Sequence, residues 1–205
     1  VKVLAEISAR TSPGLRTGTL RRGDLEVFGG LLEQVRPARS VLVTGEGPGR
    51  REAAVGLAAA AAAAGTRTAL LECDLGEPGL AEALGLALAP GLHEYLHGTA
   101  DSEAILKPVV LAGPGSAAAN EPLVCIVAGR PARDGWALLA SDRFEDAIEG
   151  LRASYELVVI DGPSLHDESA LGVVSGLVEA TIACLETADS RRKLPPRVTG
   201  VVIRK

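Results

Sequence analysis

The chain has 205 residues, 47% of them hydrophobic, and 21 Lys and Arg against 26 Asp and Glu give a formal net charge of −5. That length and apolar fraction suit one α/β domain. The acidic balance, with only Phe28, Tyr95, Trp136, Phe144 and Tyr155 as scattered aromatics, argues against nucleic acid as a partner. No run of about 18 apolar residues occurs and no signal peptide is evident, so a cytoplasmic protein without a spanning helix is expected. Cys73, Cys125 and Cys184 fall in expected strands with no CxxC pair, and read as buried thiols. The chain lacks methionine and begins at Val1, which reads as a piece of a longer translation product.

Residues 1–24 mix short apolar pieces with Gly, Pro and Arg and read as an irregular lead-in to a single domain over 25–205. Asp24 is placed to cap a helix over 25–35, with Leu25, Phe28, Leu31, Leu32 and Val35 on one face. A first core strand is expected at 40–44 and a helix from about 50 to 64. Its alanines, Ala58 to Ala64, favour helix and let it lie close to a sheet, with Gly65 closing it. A strand follows at 67–73, then short helical pieces at 80–86 and 91–97. Residues 98–121 read as loop-rich, with an apolar run at 109–112 and a mobile stretch at 116–120. Further strands are expected at 122–128, 156–161, 180–186 and 198–203. Helices are expected from the Ser141 cap to Ala153 and over 167–176.

Near-continuous apolar strands alternating with helices predict a mainly parallel sheet covered on both faces, a three-layer α/β architecture. The final joint is the exception. Thr187 to Arg197, with Pro195-Pro196, look too few for the dozen or more residues a parallel crossover needs. Either the last pair is arranged differently or residues are missing between them, and the second explanation is favoured.

The most informative stretch is SVLVTGEGPGRREAAVGLAAAAAAAG, residues 40–65. It reads as strand, glycine-rich turn, helix. Backbone N–H groups of such a turn, gathered at a helix N-terminus, favour an anion. Gly45, Gly47 and Gly49 have the freedom to shape it. A P-loop continues Gly-Lys-Ser/Thr, whereas here Gly49 is followed by Arg50, Arg51 and Glu52.

With ALLECDLGEP, PGLHEYLHG and the stretch from VAGRPARDGW to ELVVIDGPS, this segment makes four blocks in a specific order. The chain from about Leu25 to Val202 resembles the tyrosine-kinase-like P-loop domains of bacterial capsule and exopolysaccharide synthesis, relatives of MinD and ParA ATPases. The resemblance implies a P-loop NTPase-like fold and an ATP or ADP site with Mg2+. It assigns nucleotide contacts to Gly45, Gly47, Pro48, Gly49, Arg50 and Arg51. Arg50 stands where the family has its phosphate-binding lysine, and Arg51 where it has the hydroxyl that ligates Mg2+. Arginine grips phosphate but is shaped differently from lysine, and Arg51 cannot ligate a cation. Glu52 is close enough in sequence to approach a metal, but it would repel triphosphate.

Asp74 and Asp161 match the family's strand-end acids, and Glu72 replaces another. The resemblance makes these three the candidate metal ligands, while Asp161-Gly162-Pro163 and Asp74 also have good turn chemistry. No catalytic residue is assigned. Glu26 remains of the family's Glu-x-x-Arg-x-x-Arg assembly pattern, with Gly29 and Leu32 in place of both arginines, which weakens the expectation of a family-type ring. The family's tyrosine-rich tail has no counterpart up to Lys205. His93 and His97, four apart, lack a third metal ligand, and His166 follows Asp161 closely enough to reach the pocket.

The expected function is a degenerate kinase-like domain that regulates or scaffolds polysaccharide synthesis or export. Its expected partner is a membrane-embedded co-polymerase or export protein at the inner face of the membrane, with self-association as a further expectation. The alternatives are an active ATP-binding tyrosine kinase or ATPase of the same pathway, and a MinD/ParA-like positioning ATPase.

Overall fold

The structure, a computed structural model, describes residues 1–7, 22–109, 123–133, 135–186, 194–195 and 197–204. The elements are β1 (Lys2–Ile7), α1 (Arg22–Val35), β2 (Ser40–Gly45), α2 (Pro48–Ala63), β3 (Thr68–Glu72), α3 (Leu80–Leu84) and α4 (Leu92–Leu96). A 3-10 turn at Glu103–Ile105 comes next, followed by β4 (Lys107–Val109), β5 (Leu123–Ile126), α5 (Gly135–Leu139), α6 (Asp142–Ser154), β6 (Leu157–Ser164), α7 (Glu168–Gly176), β7 (Ala180–Leu185) and β8 (Gly200–Arg204). The sheet order is β1-β8-β7-β2-β6-β3-β5-β4. The seven strands from β1 to β5 in that order pair in parallel, and β4 joins β5 antiparallel at one edge.

Strand alternation sends side chains to the two faces of the sheet, in two large clusters and a third, smaller one of Ala183, Leu185, Val198, Val201 and Ile203 along β7 and β8. Val41, Val43, Leu70 and Val159 face α1, α2 and α3, where Phe28, Leu31, Leu57 and Leu80 are buried. Leu42, Leu71, Val158 and Ile160 face α4, α6 and α7, through Leu92, Phe144, Ile148 and Val174. This is the expected three-layer α/β arrangement. The alanine run makes α2 the most enclosed helix: Ala58 to Ala62 are all buried, between the sheet and α1. Its end closes as a Schellman motif, with Thr66 N–H donating to Ala61 O and Gly65 N–H to Ala62 O, both at 3.0 Å, and Gly65 at φ 83°. The Ser141 cap forms as expected, its side chain accepting from Phe144 N–H at 3.3 Å.

Three expectations are corrected. Residues 2–7 are not irregular: they form the edge strand β1, which pairs with β8 at the far end of the chain. A partner that remote leaves no local signal. Helix α1 begins at Arg22, so Asp24 lies inside its first turn rather than at its cap. The last two strands are ordinary parallel neighbours. Residues 186–199 separate them, a span that meets the length a parallel crossover needs. The expected features at 110–122 and 187–193, including the mobile stretch at 116–120, lie outside the described residues.

Candidate functional site

The site gathers at the carboxyl ends of β2, β6 and β3, where the turn at 45–47 leads into α2. β2 lies between parallel β6 and β7. The glycines play different parts. Gly47 caps α2 at φ 66°, a left-handed conformation that favours glycine. Gly45 backs onto β7, where a Cβ would sit 2.4 Å from the Cys184 carbonyl oxygen. Pro48 opens the helix and Gly49 is within it, so neither shapes the turn by a positive φ. No acid occupies the first turn of α2.

Arg50 and Arg51 project from that first turn into the acids. Arg50 is 5% exposed. Its Nε donates to Asp161 Oδ1 at 3.0 Å and its Nη2 to Asp74 Oδ2 at 2.7 Å. Arg51 Nε donates to Asp161 Oδ2 at 3.2 Å, and its Nη2 donates to the Glu77 carbonyl at 3.3 Å and lies 3.6 Å from Glu72 Oε1. One carboxylate is thereby shared between two guanidiniums.

Burial pushes the Asp161 carboxyl up to about 6, against the pull of Arg50 and Arg51 and with Glu72 and Asp74 adding to the rise. For Arg50 burial works the other way, but attraction to Asp161 and Asp74 outweighs it and the guanidinium pKa is raised. The Cys73 thiol, buried beside these acids, is held well above its ordinary range, first by burial and then by Asp161, Glu72 and Asp74.

Glu72 is fully buried and accepts three backbone N–H bonds. Oε1 takes Gly79 at 2.6 Å and Leu80 at 2.8 Å, and Oε2 takes Ala128 at 2.9 Å. It thus ties the end of β3 to the start of α3 and to the segment after β5. Asp74 Oδ1 accepts from Glu77 N–H at 3.0 Å, closing the turn 74–77. Glu52, read in the sequence as a residue close to a metal, turns instead to β8: its Oε2 lies 3.2 Å from Arg204 Nε, and its Oε1 accepts from Arg204 Nη2 at 3.3 Å.

His166 is exposed and meets Glu46 of the turn, Nε2 to Oε1 at 3.2 Å. His93 and His97 stack edge to face with ring centroids 4.6 Å apart. Among the described residues, no group of three or more His, Cys, Asp or Glu is arranged to hold a metal ion.

The structure therefore brings Arg50, Arg51, Glu72, Asp74 and Asp161 into one network. Sequence reasoning missed the acceptor and donor groups that complete it: the Glu77 carbonyl, the N–H groups of Gly79, Leu80 and Ala128, and Arg204 on Glu52. Backbone groups carry no sequence signal. Gly79 carried one, because a Cβ there would lie 2.4 Å from Arg51 Nη1, although its place in a Gly-Glu-Pro-Gly turn explained it sufficiently.

No protein-family model matches the chain, and no curated protein matches it. Solved structures do. The kinase domain of the Escherichia coli tyrosine kinase ETK superposes with a TM-score of 0.79 at 20% identity, covering 100% of this chain and 91% of that one. The VpsO kinase domain gives 0.73 at 24% identity, covering 85% of this chain and 89% of that one. The septum site-determining protein MinD of Pyrococcus horikoshii, solved with Mg-ADP, gives 0.56 at 18% identity over 77% of this chain and 73% of that one. These likenesses establish that the chain has the P-loop NTPase-like fold shared by bacterial tyrosine-kinase domains and MinD-type ATPases.

Proposed function

We propose that this chain is a degenerate, cytoplasmic kinase-like P-loop domain with weak or no ATP hydrolysis. Its role is to regulate or scaffold the synthesis or export of capsular or exopolysaccharide, docked on a membrane-embedded co-polymerase or export protein. The observation that carries the reading is the double use of Asp161. Arg50 and Arg51 both bind it, and Arg50 also binds Asp74. A magnesium nucleotide needs those acids for its metal and a lysine and hydroxyl from the first turn of the helix. The residues present offer neither group, and their acids are engaged by guanidiniums, so they do not fit Mg-ATP as they stand.

The pathway and the partner rest on the resemblance of the four sequence blocks and on the kinase-domain likenesses, which exceed the MinD likeness in TM-score. Among the described residues no helix is long and apolar enough to cross a membrane, so a membrane location would come through a partner or through a further segment. The test is calorimetry with Mg-ATP and Mg-ADP together with labelled-ATP turnover on purified protein. No ADP and no phosphotyrosine after long incubation is the expected result. Tight Mg-ATP binding with measurable turnover overturns the reading in favour of an active ATPase or kinase.

A further inference from the structure

Where β3 ends beside Asp161 of β6, three carboxylates and two guanidiniums form one network. Asp161 and Glu72 are wholly buried, and Arg50 is nearly so. Charges taken this far out of water must be neutralised in place, because a buried charge stripped of its partner is strongly destabilising. A divalent cation and a guanidinium both meet that demand, but only one of them fits. Arg50 spans Asp74 Oδ2 at 2.7 Å and Asp161 Oδ1 at 3.0 Å. Hard cations bind oxygen at about 2.0–2.6 Å, so an ion bridging the same two oxygens would occupy the space the guanidinium fills.

Arg51 adds a second function. It joins Asp161 of β6 to the Glu77 carbonyl and approaches Glu72. The same segment is held by Asp74 on Glu77 N–H and by Glu72 on the Gly79 and Leu80 N–H groups. Gly79 leaves the notch through which the Arg51 guanidinium passes.

We propose that Arg50 and Arg51 are tethered counter-cations: they take the place of a divalent ion between Asp74 and Asp161, and Arg51 clamps segment 74–80 to α2, so that this site is shaped from within the chain rather than by a bound ligand. This rests on the reading that the site does not operate as a phosphoryl-transfer centre, and it names what has replaced that operation. Removing the Arg50 guanidinium should leave Asp74 and Asp161 as an acid pair that calls for a cation.

The experiment needs no nucleotide. Wild type, Arg50→Met and Arg51→Gln are compared for Mn2+ binding by electron paramagnetic resonance, for thermal unfolding with and without Mg2+, and for amide hydrogen exchange. Wild type should melt at the same temperature with and without about 10 mM Mg2+. Arg50→Met should bind Mn2+ roughly tenfold or more tightly than wild type, and saturating cation should raise its melting temperature by about 3–5 °C. In Arg51→Gln, exchange should accelerate at Glu77, Gly79 and Leu80 ahead of the rest of the chain.

A folded Arg50→Met indifferent to Mn2+, or a wild type stabilised by Mg2+ as much as that variant, overturns the counter-cation role. Uniform acceleration in Arg51→Gln overturns the clamp. Should Arg50→Met not fold, Arg51→Gln decides both parts, because Arg51 also binds Asp161: Mn2+ binding no tighter than wild type overturns the counter-cation role, and exchange that is general rather than local to 77–80 overturns the clamp. ATP turnover by wild type would instead defeat the reading of inactivity, so the two failures are told apart.

Discussion

Glu72→Gln separates a structural carboxylate from a ligand carboxylate. Gln keeps the shape but removes the charge and turns one acceptor into an N–H2 donor. Glu72 offers Oε1 to Gly79 and Leu80 and Oε2 to Ala128. An amide satisfies one side only. With its oxygen toward Gly79 and Leu80, its nitrogen faces the Ala128 N–H, and a buried donor loses its acceptor. Bonds to a charged group are worth about 1.5–3 kcal/mol each, and an orphaned buried N–H costs about 1–3 kcal/mol. Some of this is offset because a buried charge is removed and Arg51 retains Asp161, which leaves a loss of about 3 kcal/mol. For a chain of this size that corresponds to about 6–12 °C in melting temperature. Urea unfolding followed by circular dichroism measures it, with an unchanged denaturant slope as the check that the folded state is intact. Glu72→Asp, one methylene shorter, should fall on the same side because it cannot reach both Gly79 and Ala128. A Glu72→Gln protein within about 0.5 kcal/mol of wild type would refute the argument, since the carboxylate would then be dispensable to the fold and available to a ligand.

Gly56→Ala places a Cβ 2.3 Å from the Phe28 ring, which is fully buried. Overpacking of about 1–3 kcal/mol exceeds the helix-propensity gain of about 1 kcal/mol, so net destabilisation is expected, with Phe28→Leu relieving it in a double-mutant cycle. Gly79→Ala meets the end of the Arg51 side chain first, so it should cost about 1 kcal/mol in wild type and clearly less in Arg51→Gln; equal costs in both backgrounds would show that the notch does not serve Arg51. Asp161 titrates at about 6 when folded against an ordinary 3.8, so its proton stabilises the fold fully below 3.8 and that contribution is lost as pH rises through 6. Wild type should therefore lose up to about 3 kcal/mol relative to Asp161→Asn between about pH 4 and about pH 7 in urea titrations, and a constant difference would contradict the burial-driven shift.

The fold was legible wherever the pattern was local. Val41 to Val43, Ala69 to Leu71 and Leu157 to Ile160 are continuous apolar runs because parallel strands covered on both faces bury every side chain. Gly65 and Ser141 mark helix ends through their own chemistry. β1 was not legible, because its half-exposed residues become a strand only by pairing with β8, nearly the whole chain away. That Arg50, Arg51, Glu72, Asp74 and Asp161 would lie near one another was legible from the strand-turn-helix order. Their roles were not, because a sequence gives the side chain and not the direction in which it folds. Glu72 differs from an aspartate by one methylene, and that length lets it reach backbone N–H groups on two separate segments.

On the proposed reading of a degenerate phosphate loop, the residues at 50, 51 and 72 are better understood together than singly. Loss of lysine and hydroxyl by independent decay would leave Asp74, Asp161 and the residue at 72 as buried acids without counter-charge, a costly state for any fold. Here each acid has a partner suited to its place. Arg50 bridges the two aspartates, and Arg51 shares Asp161 and reaches the Glu77 carbonyl. The longer Glu72 reaches three N–H groups while staying within 3.6 Å of Arg51, and Gly79 leaves room for Arg51. Restoring any one position alone should therefore do harm before it does good. Arg50→Lys would keep a cation but surrender the fork that holds two acids at once, and Arg51→Thr would release Asp161 and Glu77 together. Such a dependence is what the proposed counter-cation role requires and what five independently placed side chains would lack.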